Sequence, residues 1–195
     1  MSAVPTRPAQ PAVPTAGAGA ILQLVRSGRA ATRADLAALT GLARSTVAQR
    51  VDALLAMQLL VATGDSQSTG GRPPTMLAFN HEAGVVLAGD LGATHSRVAV
   101  TDLGGTVLAQ TRRDIAIAEG PEAVLSWLES AFDGLLDDVG RSPDAVRGVG
   151  VGLPGPVEFA TGQPVNPPIM PGWDRYPVGS RLAERYRVPP WWTTT

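Results

Sequence analysis

No cysteine occurs among the 195 residues. That absence excludes a disulfide scaffold, a thiol nucleophile and cysteine zinc ligation in this chain. Lysine is missing too, so all 16 basic residues are arginines. Together with 22 glycines and 17 prolines, this usage fits a GC-rich coding sequence, since Ala, Gly, Pro and Arg codons are GC-rich. No apolar run approaches the roughly 18 residues of a membrane span. The Pro- and Ala-rich start, Met1 to Gly17, lacks the contiguous apolar stretch of a secretory signal. A soluble cytoplasmic protein with no membrane partner is expected. At roughly 150 residues per domain, the length accommodates one domain or two small ones.

Net charge is also nearly absent, at −1, but it hides an asymmetry. Residues 1–80 hold seven arginines against Asp35, Asp52 and Asp65, a balance of +4. Residues 81–195 hold nine arginines against fourteen acids, a balance of −5. A basic segment joined to an acidic one suggests a nucleic-acid module attached to something else. Residues 1–16 contain four prolines and no apolar period, and are expected to be a disordered arm.

Three short helical patterns follow in a first domain, residues 17–80. Ile21, Leu22, Leu24 and Val25 form one apolar stripe, stopped by Ser27-Gly28. Thr32, three residues before Asp35, is an N-cap signature in which hydroxyl and carboxylate satisfy free backbone N–H groups. The second helix carries Leu36 and Leu39 and ends at Thr40-Gly41. In the third, Val47, Val51, Leu54 and Leu55 share a buried face, and the opposite face presents Arg44, Ser45, Thr46, Gln49 and Arg50. Such a short helix, glycine turn and polar second helix is how a helix-turn-helix sets side chains on base edges. Arg can reach guanine O6 and N7 with two hydrogen bonds, and Gln can do the same for adenine. Ser45 and Thr46 are short enough to let the helix terminus approach phosphates. An ordinary helical hairpin with a solvated polar face is the competing reading.

Leu59 to Thr63 and Thr75 to Phe79 read as paired strands around GDSQSTGGRPP. A hairpin directly after a recognition helix reads as a wing, with Arg72 reaching into a groove.

The second domain, residues 84–188, opens with a buried-looking strand, Gly84 to Asp90, then the turn Leu91 to Ser96. Strands Arg97 to Thr101 and Thr106 to Thr111 follow around Asp102-Leu103-Gly104-Gly105. Pro121 opens a helix at its favoured first position, with Leu125, Leu128, Phe132, Leu135, Leu136 and Val139 on one face. Val146 to Leu153 is a glycine-rich fourth strand that ends in Pro154-Gly155-Pro156.

Strand, D-x-G-x-T turn, strand, strand, helix, strand: here the chain resembles the ROK family (repressors, open reading frames and sugar kinases) of the actin-like ATPase superfamily. The resemblance rests on the STGGRPP segment, DLGATHSRVAVTDLGG, GVGLPGPV and NPPIMPGWDRYPVGSRLAERYRVP, in the family's order. It implies an α/β chain: a winged helix-turn-helix followed by a partial actin-like (ribonuclease H-like) lobe. It also implies that Asp90 acts near metal and phosphates, that Gly92 and Thr94 contact phosphate, and that Gly155 and Asn166 line a sugar site. For Asn166, a loop role capping backbone groups is the alternative. His95 reads as a turn residue. Trp173 reads as packing, with sugar stacking as the alternative. The turn departs from the kinase form D-[IL]-G-G-T-[KN] at Ala93, whose β-carbon could crowd a nucleotide, and at His95. In this it looks more like the family's transcription regulators.

After RYRVP the family continues with an apolar strand and an Asn-Asp pair that carries the catalytic aspartate. Here the chain reads Pro190-Trp191-Trp192-Thr193-Thr194-Thr195. Trp-Trp-Thr-Thr-Thr must be encoded as TGG TGG ACN ACN ACN. Begun one nucleotide earlier, this is compatible with Val-Val-Asp-Asn-Asp, so residues 189–195 are expected to be a frameshifted tail of a truncated lobe. No catalytic residue and no metal ligand is assigned, and no phosphotransfer is expected.

The resulting expectation is a sugar-responsive transcriptional regulator, a repressor in sense. Its partners would be operator DNA, a sugar or phosphosugar effector, and further copies of itself in full-length form. The alternative is a cytoplasmic sugar kinase with a fused helical domain, and only that reading requires ATP and Mg.

Overall fold

Residues 17–63, 75–188 and 190–194 are described in the computed structural model, the last five as backbone. The chain divides at Asn80/His81 into two units.

In the first unit, the stripe around Ile21 forms α1, Ala18–Arg26, burying Ala20, Ile21, Leu24 and Val25. α2, Arg33–Thr40, begins at a closed capping box. The Asp35 N–H donates to Thr32 Oγ1 at 3.1 Å, while the Thr32 N–H donates to Asp35 Oδ2 at 2.9 Å. Hydrogen bonding by Thr32, then by the Ala31 N–H, holds the Asp35 carboxyl below the usual carboxylate range. Gly41 ends the helix in the left-handed conformation at φ 68°, which an L side chain adopts only with strain. α3, Arg44–Ala56, buries Val47, Val51 and Leu54. Strands β1, Leu60–Thr63, and β2, Met76–Phe79, pair antiparallel with Leu60 opposite Phe79. Leu36, Leu60 and Leu77 complete the core, whereas Leu39 stays half exposed on α2. The loop 64–74, with Arg72 and the expected wing tip, lies outside the described residues.

The second unit is built on a five-stranded mixed sheet. β3, Val85–Leu91, β4, Ser96–Asp102, and β5, Val107–Arg113, form an antiparallel meander. α4, Pro121–Asp138, then crosses over to β6, Val146–Leu153, which runs parallel to β3. A small hairpin follows, β7 (Val157–Glu158) with β8 (Gln163–Pro164), then α5, Val178–Tyr186. The backbone of 190–194, set apart above as a tail, forms β9, Pro190–Thr194, parallel to β6. Sheet order is β5-β4-β3-β6-β9.

One sheet face carries Val85, Leu87, Leu91, Val98, Val100, Val149 and Val151, and packs on Val124, Leu128 and Phe132 of α4. α5 lies beside α4. Arg181 Nε donates to Glu129 Oε1 at 2.6 Å, Arg185 pairs with Asp133, and the Tyr186 ring meets Phe132 edge-on at 6.1 Å. Among the described residues, no helix is long and apolar enough to cross a membrane.

Candidate functional site

Two places carry the polar chemistry expected from the sequence, one in each unit. In the first, α3 turns Val47, Val51 and Leu54 inward, so positions 45, 49, 52 and 56 stand on the far side. Arg44, Ser45 and Gln49 are exposed, and Thr46 and Arg50 are half-buried on the flanks. Arg50 is not fully free: its Nη1 is enclosed without a hydrogen-bond partner. The N-cap residue of α3 is Ala43, which supplies no side-chain cap. The first N–H groups of α3 therefore stay open to an outside acceptor, unlike those of α2, which Thr32 and Asp35 close. Asp52, the one acid of α3, is ion-paired with Arg33 of α2, Oδ1 to Nη2 at 2.8 Å. Two of the three acids of residues 1–80 are thus engaged locally, which leaves the basic character of the unit to the arginines.

The second place is the carboxyl end of the mixed sheet, where ligands of α/β proteins commonly gather. Parallel pairing of β3 with β6 sets Asp90 opposite Gly152. The turn 92–95 after β3 and the loop after β6 therefore emerge side by side. The turn is tight: the Gly92 N–H donates to the His95 carbonyl at 2.9 Å, and a β-carbon on Gly92 would lie 2.7 Å from that oxygen. Asp90 and Thr94 are exposed, and Thr94 Oγ1 lies 3.3 Å from His95 Nδ1. The Ala93 carbonyl accepts from the Ile117 N–H at 3.1 Å, which ties the turn to the segment before α4.

Gly155 packs against the segment that directly follows Asn166. A β-carbon on Gly155 would sit 3.1 Å from both Pro167 Cβ and Met170 Sδ. The Asn166 N–H donates to Asp174 Oδ1 at 2.8 Å, and its backbone is left-handed at φ 46°. Its backbone is what is held, and its side chain stays exposed. Trp173 is packing: fully buried, with Nε1–H donating to the Ile117 carbonyl at 2.9 Å. That burial leaves no ring face for sugar stacking.

The sequence profile of the ROK family matches residues 86–194, more than half of the chain. The chain belongs to the ROK family. Among curated relatives, this ROK chain is 30% identical over 158 residues to the xylose repressor of Bacillus subtilis strain 168, covering 81% of this chain and 40% of the repressor. It is 24% identical over 169 residues to the xylose repressor of Caldicellulosiruptor bescii, covering 87% and 42%. The chain thus spans about two-fifths of the length of these relatives. In fold it matches the crystal structure of a ROK family transcriptional regulator, a homologue of the E. coli MLC protein. That match has a TM-score of 0.73 at 22% identity and covers 91% of this chain and 44% of that one.

Sequence reasoning missed three contributors to these sites. Asp174 supports Asn166 from eight residues away. Asp52 takes Arg33 as partner from nineteen away. Ser96, at the foot of the turn, is buried with no partner for its hydroxyl. Only Asp174 had a usable signal, its place directly after the P-G-W motif.

Proposed function

We propose that this ROK chain is the DNA-binding and first ligand-binding portion of a sugar-responsive transcriptional repressor. On this reading the first unit is a winged helix-turn-helix, with α2 and α3 as the helical pair and the β1–β2 hairpin as the wing. The observation that carries it is the build of α3: an uncapped N-terminus and an exposed Arg44, Ser45 and Gln49, in a basic unit joined to a ROK domain. Arg44 and Gln49 suit guanine and adenine edges. Ser45 and the free N–H groups suit phosphate. Thr46 and Arg50 border that surface, and Arg72 belongs to the hairpin loop.

In the second unit, Asp90, Gly92 and Thr94 form one wall and Gly155 with Asn166 the other of a site for the effector. The curated relatives are named xylose repressors, which makes an aldopentose the first effector to test here. Asn166 would hydrogen-bond a sugar hydroxyl. Asp90 would accept from another hydroxyl, or stand near a phosphate only with a cation between them. Ala93, in place of the second glycine of the kinase turn, narrows the room for a nucleotide. The partners are then operator DNA, the sugar and a second copy of the chain on a two-fold operator.

The test is selection of duplexes from a random-sequence library by the purified chain, then fluorescence anisotropy on the enriched duplex with and without D-xylose. Enrichment of one sequence, and its release by the sugar, is the expected result. Failure to enrich any sequence would overturn the proposal.

A further inference from the structure

α3 does not offer the same chemistry along its length. Ser45, Gln49, Asp52 and Ala56 follow at i, i+4, i+7 and i+11, one stripe opposite Val47, Val51 and Leu54. The first half of the stripe carries uncharged hydrogen-bonding groups. About 4.5 Å beyond Gln49 along the axis it carries a carboxylate, and after that only alanine. The Asp52 side chain is 64% exposed and that of Arg33 37%, so neither serves the core. An exposed ion pair of this kind contributes little to stability, and its position is what stands out. A negative charge on a surface meant for nucleic acid opposes the phosphate backbone wherever the two come close.

Resting on the DNA-binding reading above, we propose that Asp52, held by Arg33, is a specificity-determining residue. The carboxylate penalises complexes in which α3 lies lengthwise against the phosphates, the mode available on any sequence. A complex that inserts only the first two turns, Arg44 to Arg50, keeps Asp52 away from the strands and escapes the penalty. Arg33 draws the carboxylate toward α2 and partly neutralises it, so that the permitted complex is not repelled as well. Discrimination thus comes from weakening the wrong complex, not only from strengthening the right one.

The full chain tests this on two duplexes: the one enriched from a random library and a scrambled duplex of the same base composition. Asp52→Asn should tighten binding to the scrambled duplex several-fold while changing the enriched one little, so the ratio of affinities falls. Arg33→Gln should weaken both, and adding Asp52→Asn to it should recover that loss, because the freed carboxylate is its cause. Circular dichroism melts of all three variants should match the parent, since both side chains are exposed. An unchanged ratio in Asp52→Asn overturns the proposal, as does a loss in Arg33→Gln that the double variant does not recover. If the parent chain enriches no sequence, the DNA-binding reading falls first and this inference with it. If it enriches one and Asp52→Asn behaves as the parent, this inference alone falls.

Discussion

Asp90 on β3 stands directly opposite Gly152 on β6 in parallel register. That one pairing brings the ends of two strands distant in sequence side by side, and the effector site proposed above draws one wall from each. Asp90 is exposed at this point, whereas Gly152 is buried. Asp90→Ala should therefore abolish or strongly weaken effector binding without unfolding the unit, because the carboxylate is exposed and unburdened by packing. Isothermal titration with D-xylose, alongside a thermal melt, checks both halves of that expectation. For Asn166→Ala a loss of about 1–3 kcal/mol is expected, the scale of an unmade polar contact.

Gly92 is a sharper structural probe. A methyl there would press on the His95 carbonyl that closes the turn, so Gly92→Ala must open the hairpin end or shift it. We expect a destabilisation of about 1–3 kcal/mol and loss of effector binding together, measured by denaturant unfolding and titration. Retained binding with full stability would show that the turn tolerates a different closure.

For α3, Arg44→Ala and Gln49→Ala should each cost about 1–3 kcal/mol on the enriched duplex and relax preference at one base position. Binding should weaken steeply with salt, since phosphate contacts release counterions. A pair of variants that lowers affinity equally on all sequences would move these residues from base reading to backbone contact.

Arg181 joins the two helices of the second unit, reaching Glu129 at 2.6 Å and Glu122 at 2.9 Å, and donating to the Tyr176 hydroxyl at 3.0 Å. The side chain of Glu129 is only 13% exposed. Arg181→Ala leaves that carboxylate poorly solvated and unpaired, and should destabilise the unit by about 2–3 kcal/mol. Arg181→Lys should restore only part, since a single ammonium cannot reproduce the fork. Urea unfolding followed by circular dichroism measures both.

Stability should also fall on the acid side. Hydrogen bonding to Tyr176, then to Arg181, holds the Glu122 carboxyl below its usual range, as Thr32 does for Asp35. A carboxyl with a depressed folded-state pKa contributes stability that is present above the unfolded value and lost as pH falls through the folded one. Melting temperatures should decline below about pH 4. Thr32→Ala should flatten the share of that decline belonging to the first unit, and Tyr176→Phe the share belonging to the second.

The helices α1 to α4 and strands β1 to β6 were legible because their causes are local. Apolar spacing, the Thr32–Asp35 box, Pro121 at a helix start and Gly41 at a helix end act over a few residues. The spacing of Val178, Leu182 and Tyr186 held a readable signal for α5 as well, obscured by the charged residues between them. The short β7–β8 pair had none, since two-residue strands have no period to detect.

The sequence by itself determined the order of elements, the unequal charge of the two halves and the motifs that mark the ROK family. Only the tertiary structure decided which of those residues meet. It set Asp90 beside Gly152, pressed Gly155 against Pro167 and Met170, buried Trp173 beneath the Ile117 carbonyl and gave Asp52 its arginine. Each of these contacts spans an element or a crossover. Such contacts depend on strand register and helix packing, which arise from burying one face of each element against another and leave no mark within any short stretch of chain.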